Sequence, residues 1–246
     1  MDRLIYTAMT GAKHAMAQQA TTANNLANIN TTGFRAQLDS FRAVQVQGEG
    51  LPTRAFVVDS TVGADFRPGV IQQTGRELDV ALQSQGWLVV QAADGSEAYT
   101  RNGSFELNVN GIIQTRSGIP VQGDGGPISV PPEVTLSIGS DGTISALPET
   151  GPRNTPSVIG RIKLVKPPNG EMIRGEDGLF RVRGGDPATV DETVGILSGT
   201  LEGSNVNAAE QMVTMISLAR QFEMQMKMLS TADANDRAAT QILASR

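Results

Sequence analysis

Two periodicities of apolar positions divide the chain. From Leu4 to Ile29, the residues Ile5, Ala12, Gln19 and Leu26 fall seven apart, and Ala8, Ala15, Thr22 and Ile29 repeat three positions after each. That is a heptad seam on a predicted helix, with Asp2 as its N-cap and Gly33 as the residue able to take the left-handed stop. A second seam runs through Ala208, Met215, Phe222, Leu229, Asp236 and Leu243, with Met212, Ala219, Met226, Asp233 and Thr240 between them. Asn207 and Glu210 have the spacing of a capping box at its start. At about 1.5 Å per residue these helices are roughly 40 and 55 Å long. Their knobs are mostly small or polar, so neither seam is expected to be stable alone.

Between Thr74 and Arg183 the period shortens. Short strands are predicted at Leu78 to Leu82, Trp87 to Gln91, Phe105 to Val109, Ile112 to Thr115, Thr135 to Ile138, Val158 to Leu164 and Phe180 to Arg183. Between them stand four Asp-Gly pairs, led by Asp94, Asp124, Asp141 and Asp177, and three Asn-Gly pairs, led by Asn102, Asn110 and Asn169. Such pairs are hairpin signals. The expected fold class is therefore α+β: paired, coiled-coil-like N- and C-terminal helices flanking a central all-β domain. The divisions are residues 1–33 for the first helix, 34–73 for an extended connector containing Pro52 and Pro68, 74–200 for the β domain, and 201–246 for the second helix.

Composition follows the same division. All 12 prolines lie between Pro52 and Pro187, and 26 of the 27 glycines lie between Gly33 and Gly203. The net charge is −5 and the isoelectric point is near 5.0, with no basic run, which argues against a nucleic-acid partner. No apolar run approaches the roughly 18 residues of a membrane span, and no cleavable secretory signal is visible at the start. The absence of Cys excludes disulfides and a thiol nucleophile, and the single His excludes multi-His metal sites. No cofactor, metal or catalytic residue is expected. The Asp-Gly pairs lack the calcium-loop series, and Gly123-Asp124-Gly125-Gly126 reads as a turn, lacking the Lys and helix of a phosphate loop.

The segment Asn24-Asn25-Leu26-Ala27-Asn28 is unusual, because Asn is a mediocre helix former. Fraying toward Gly33 is one explanation; amides that bond neighbouring helices are another. This segment, followed by Thr32-Gly33-Phe34-Arg35, resembles the N-terminal signature of the bacterial flagellar axial proteins, the rod, hook and hook-associated family. Leu201-Glu202-Gly203-Ser204-Asn205-Val206, with Glu210, Met215, Arg220 and Phe222-Glu223, resembles the C-terminal signature. Leu78-Asp79-Val80-Ala81-Leu82, Gly86-Trp87-Leu88, Tyr99-Thr100-Arg101-Asn102-Gly103-Ser104-Phe105 and Gly111 are similar to the β domain of its longer members. The opening residues Met1 to Met9, Phe34 to Leu38 and Arg220 to Lys227 look most like proximal-rod members.

The resemblance implies a structural, non-enzymatic subunit of the basal-body rod that assembles through its terminal helices into a hollow drive shaft. Implied partners are neighbouring proximal-rod and distal-rod subunits, copies of itself and, during secretion, the flagellar type III export apparatus. The implied location is the rod in the periplasmic space, reached without a cleaved signal peptide. The candidate assembly interface comprises Ile5, Ala8, Ala12, Ala15, Asn24, Asn25, Leu26, Asn28 and Ile29 on the first helix. On the second it comprises Met212, Met215, Ala219, Phe222, Met226 and Leu229. A distal-rod or hook-type member of the family is the alternative; a cell-wall glycan hydrolase is the alternative of another class.

Overall fold

The computed structural model describes residues 2–45, 55–148 and 156–244. It is a mixed α+β molecule in which one helix at each end flanks a β-rich middle, and the chain divides into two compact units.

The first unit contains residues 1–28, 37–65 and 206–246. Helix α1 spans Asp2–Ala27 and begins at Asp2 itself. Helix α2 spans Ala208–Ala244, and the Asn207 side chain caps it by accepting the N–H groups of Ala209 and Glu210 at 3.1 and 3.4 Å. The two helices pack against each other. Gly11, 16 residues before the end of α1, faces Gln225, 17 residues after the start of α2. The segments that lead out of α1 and into α2 are hydrogen-bonded side by side, so the pair is antiparallel.

Residues 34–73, read as a connector, hold an antiparallel ribbon: β1, Gln37–Gln45, pairs with β2, Ala55–Ala64. Pro52 lies outside the described residues. An isolated ribbon is marginal in water, and this one is fastened to α1 at three levels. Asn25 bonds Gln37, the Thr21 hydroxyl donates to the Asp39 carboxylate at 2.9 Å, and the His14 ring meets Phe41 edge-on at 5.3 Å.

The second unit, residues 29–36 and 66–205, is the β body. Its largest sheet is antiparallel, in the order Leu164–Val165, Trp87–Gln91, Glu97–Thr100, Phe180–Val182, Met172–Arg174. A meander of Val134–Ile138, Thr143–Pro148 and Ser157–Arg161 lies beside four two-stranded ladders. Five of the seven predicted Asp-Gly and Asn-Gly turns join consecutive paired strands. At Asp141-Gly142, for instance, Gly142 takes φ +84° and Asp141 accepts from Thr143. Gly123-Asp124-Gly125-Gly126 is one of these turns. Leu88, Phe105, Ile113, Val121, Ile144, Ile162, Leu164 and Ile196 form a continuous core in which almost no side-chain surface reaches water.

Strands Ile196–Ser198 and Thr200–Glu202 were not anticipated from the pattern. The first pairs with Val80–Leu82, the chain turns at Gly199 with φ +70°, and the second pairs with Ile71–Gln73. This switch carries Glu202 into the interior.

Candidate assembly interface

On α1 the buried positions are Ala8, Ala12, Ala15, Thr22 and Asn25, spaced four, three, seven and three. Small side chains here allow close approach of α2. At Gly11 the approach is tight, since a Cβ there would stand 2.9 Å from the Gln225 amide nitrogen. Ile5, Leu26 and Ile29 are half-buried, and Ile29 already belongs to the β body.

The three asparagines have three different environments. Asn25 is buried and its side chain both donates to the Gln37 carbonyl (3.0 Å) and accepts the Gln37 N–H (2.8 Å), the pairing of one peptide with another. Its amide is therefore engaged within the subunit. Asn28 donates from Nδ2 to the Asn24 carbonyl at 2.9 Å, a second bond to an oxygen that also accepts the Asn28 backbone N–H at 3.2 Å. The Asn24 side chain is exposed.

The faces of α2 divide the predicted seam. Leu218 and Ala232 are buried, and Gln211, Met215, Phe222, Gln225, Leu229 and Ala239 are half-buried. These positions alternate by four and three and include the contact with Gly11, so they form the side toward α1. Met212 and Met226 lie one position along from this row and are 52% and 47% exposed, with Ala219 between them half-buried. Val213, Ile216, Met224 and Met228 are exposed as well. On α1 the outward face carries exposed Tyr6, Met9 and Met16 with Ala20 and Ala23. Lys13 is the one charge among the described residues of that face.

In the β body, three sequence-distant motifs converge on one ion cluster. Glu202, 1% exposed, accepts from Arg35 Nη2 at 2.7 Å and the Gly69 N–H at 2.8 Å through Oε1, and from Arg101 Nη1 at 2.9 Å through Oε2. Arg35 and Arg101, 1% and 6% exposed, donate their other terminal nitrogens to the carbonyls of Arg67 and Ser84. Two guanidiniums thus face one carboxylate. Burial pushes the Arg101 pKa down and the Arg35 charge adds to this, with Glu202 opposing both.

The backbone around the cluster is equally tight. Gly33, at φ +68°, donates to the Glu202 carbonyl at 2.7 Å, and a side chain there would strike the Arg101 backbone. Asn205 accepts the Ala36 N–H and donates to the Arg67 carbonyl, while its own N–H reaches the Phe34 carbonyl. Phe34 lies beneath the Arg174 guanidinium, 4.5 Å from the ring centre, and Arg174 also donates to the Arg35 carbonyl. Nothing in a local window announces this arrangement. The one available signal is that each charged member follows or precedes a motif glycine.

Three family models match the chain. Residues 5–35 match a model described as flagella basal body rod protein, and residues 81–146 the D1 domain of the flagellar hook protein FlgE/F/G. Residues 197–242 match the C-terminal part of flagellar basal body rod FlgEFG proteins. The flagellar basal-body rod protein FlgF of Escherichia coli (strain K12) is 53% identical over 99% of both chains. The chain belongs to the flagellar basal-body rod protein family. It is FlgF-like: FlgF of Salmonella typhimurium is 51% identical over 99% of each chain. FlgG of Buchnera aphidicola subsp. Schizaphis graminum is 29% identical over 93% of this chain and 95% of its own length. The molecule is a structural rod subunit of the flagellar basal body, and among the described residues no helix is long and apolar enough to cross a membrane. The ion cluster takes one residue from each matched segment: Arg35, Arg101 and Glu202.

Proposed function

We propose that this rod subunit occupies the proximal rod, joining copies of itself and neighbouring rod proteins into a hollow, torque-transmitting shaft. It reaches the periplasmic space through the flagellar type III export apparatus without a cleaved signal and acts without catalysis. The reading is supported by end-to-end likeness to proteins named FlgF, and by helices that remain apolar on faces their own subunit does not cover.

The two rows of α2 then have different partners. Ala8, Ala12 and Ala15 with Met215, Phe222 and Leu229 form the coiled-coil-like seam within a subunit. Tyr6, Met9 and Met16 on α1, with Met212, Ala219 and Met226 on α2, meet helices of neighbouring subunits. Ile5, Leu26 and Ile29 close the ends of the inner seam, and Asn24 lies at the outer edge. Because these faces differ, stacking is heterologous and the polymer stays open. The carrying observation is the exposure of Met212 and Met226 beside the row of α2 that holds buried Leu218 and Ala232.

In cells, Met212→Glu or Met226→Glu should abolish motility and leave the variant subunit missing from isolated basal bodies. The purified variants should unfold at the parent's denaturant midpoint. Normal incorporation of both variants would refute the outer-row interface.

A further inference from the structure

We infer that Asn169 is a site of spontaneous covalent modification: in the folded subunit its side-chain amide is converted to aspartate and isoaspartate through the nitrogen of Gly170. The fold selects this Asn-Gly pair and shields the other two.

The reaction needs no enzyme, only water and hydroxide. Hydroxide removes the N–H proton of the following residue, and the nitrogen attacks the Asn side-chain carbonyl carbon. The new N–Cγ bond forms, the Cγ–Nδ2 bond breaks, and ammonia leaves with a proton from water, which restores the hydroxide. Water then opens the cyclic imide. Cleavage of its N–Cγ bond gives aspartate, and cleavage of the bond to the main-chain carbonyl gives isoaspartate. Gly in the following position leaves the attacking nitrogen open, because it has no Cβ. Beyond that, a pair must offer a free N–H, a free side chain and room to turn.

Only one pair offers all three. Asn102 is half-buried, and its Oδ1 accepts the Ser104 N–H at 3.1 Å. Gly103 is buried so closely under Val80 that a Cβ would strike the Val80 carbonyl, and its own carbonyl accepts the Val80 N–H. At Asn110 the side chain is exposed, but the Gly111 N–H is bonded to the Asn108 carbonyl at 2.9 Å and the Gly111 carbonyl to the Val130 N–H at 2.7 Å. Asn169 and Gly170 are both exposed, and neither the Asn169 side chain nor the Gly170 N–H has a partner among the described residues. Nothing stands within 4 Å of where a Gly170 Cβ would be. The pair sits in a single 3₁₀ turn, Asn169–Glu171, closed by the Glu171 N–H on Pro168 and the Met172 N–H on Asn169. So short a turn opens readily.

The product changes this surface. The turn flanks a depression whose lining includes Lys166, Glu171, Arg183 and Asp186, two charges of each sign, and a carboxylate at Asn169 tips that balance to negative. Isoaspartate also adds a methylene to the main chain just before the edge strand Met172–Arg174. The modification therefore marks the age of a subunit on the surface of its β body.

The test keeps the intact chain in mildly alkaline buffer, digests it in acid, and sequences the peptides by mass spectrometry. Aspartate and isoaspartate should accumulate at Asn169 at least about tenfold faster than at Asn110 or Asn102. In denaturant, where the fold shields none of them, the three rates should converge. Equal rates at Asn169 and Asn110 in the folded chain, or an intact Asn169 there, would overturn the inference. Gly170→Ala, which the open space accommodates, should slow the reaction several-fold and leave the denaturant midpoint unchanged. An unchanged rate in that variant, with aspartate as the sole product, would mean direct hydrolysis and would overturn the route through Gly170.

Discussion

The helix pair and the β body are stabilised in opposite ways. The body has a dry core of Leu, Val, Ile and Phe with Glu202 neutralised inside it, and every large side chain of that core has neighbours within its own unit. The helix pair buries chiefly alanines and leaves six methionines, Tyr6, Val213 and Ile216 exposed. Burying a Leu or Ile side chain is worth about 1.5–3 kcal/mol and an Ala far less. One unit therefore carries a closed core, and the other leaves apolar surface uncovered. The proposed assembly through the helices requires no refolding of the body.

That contrast can be broken most severely from the body's side. Glu202→Gln leaves two buried guanidiniums facing an amide and should cost about 3–5 kcal/mol of body stability, read from denaturant unfolding followed by Trp87 fluorescence. A cost under about 1 kcal/mol would mean that the ions are incidental. Next, Ala15→Glu places a charge in the inner seam and should cost at least about 2 kcal/mol of helix pairing. The expected signature is loss of helical circular dichroism with an unchanged Trp87 transition. Concerted loss of both signals would show that the two units unfold as one.

Asn25→Ala should cost about 1–3 kcal/mol by leaving the Gln37 N–H and carbonyl unmatched. It should raise hydrogen exchange along β1 while sparing the sheets of the body. The smallest effect expected is from acid. Hydroxyl and N–H donors of Ser96, Thr143 and Thr193 hold the carboxyls of Asp94, Asp141 and Asp191 below their usual range, and the bonds from Arg181 do so for Asp177. A lowered carboxyl pKa stabilises the folded state above the unfolded value near 4 and loses that contribution as pH falls through the folded value. The melting temperature of the body should thus decline below about pH 4, and Asp177→Asn should flatten part of the decline.

Much of this was readable residue by residue. The helices follow from unbroken heptads, the hairpins from Asp-Gly and Asn-Gly pairs, and the cap of α2 from Asn207. Which row of α2 meets α1 was not legible in the heptad pattern, for a physical reason. Met212, Ala219 and Met226 stand 100° from Gln211, Leu218 and Gln225 on the helix, and hydrophobicity alone favours methionine over glutamine for a seam. Gly11 reverses the choice, because the space it leaves accepts the Gln225 amide. The β1–β2 ribbon was equally hidden, since its partner for half of its anchoring is a helix, through Asn25, Thr21 and His14.

The amino-acid sequence by itself determined the two helical ends, the turn-rich β middle and membership of the rod family, because periodicity, turn chemistry and the three motifs are local properties. Only the tertiary structure decided which apolar row faces inward, and only it joined Arg35, Arg101 and Glu202. Those three are separated by up to 167 positions, and a charge looks like solvent-facing surface until the chain that buries it has closed around it.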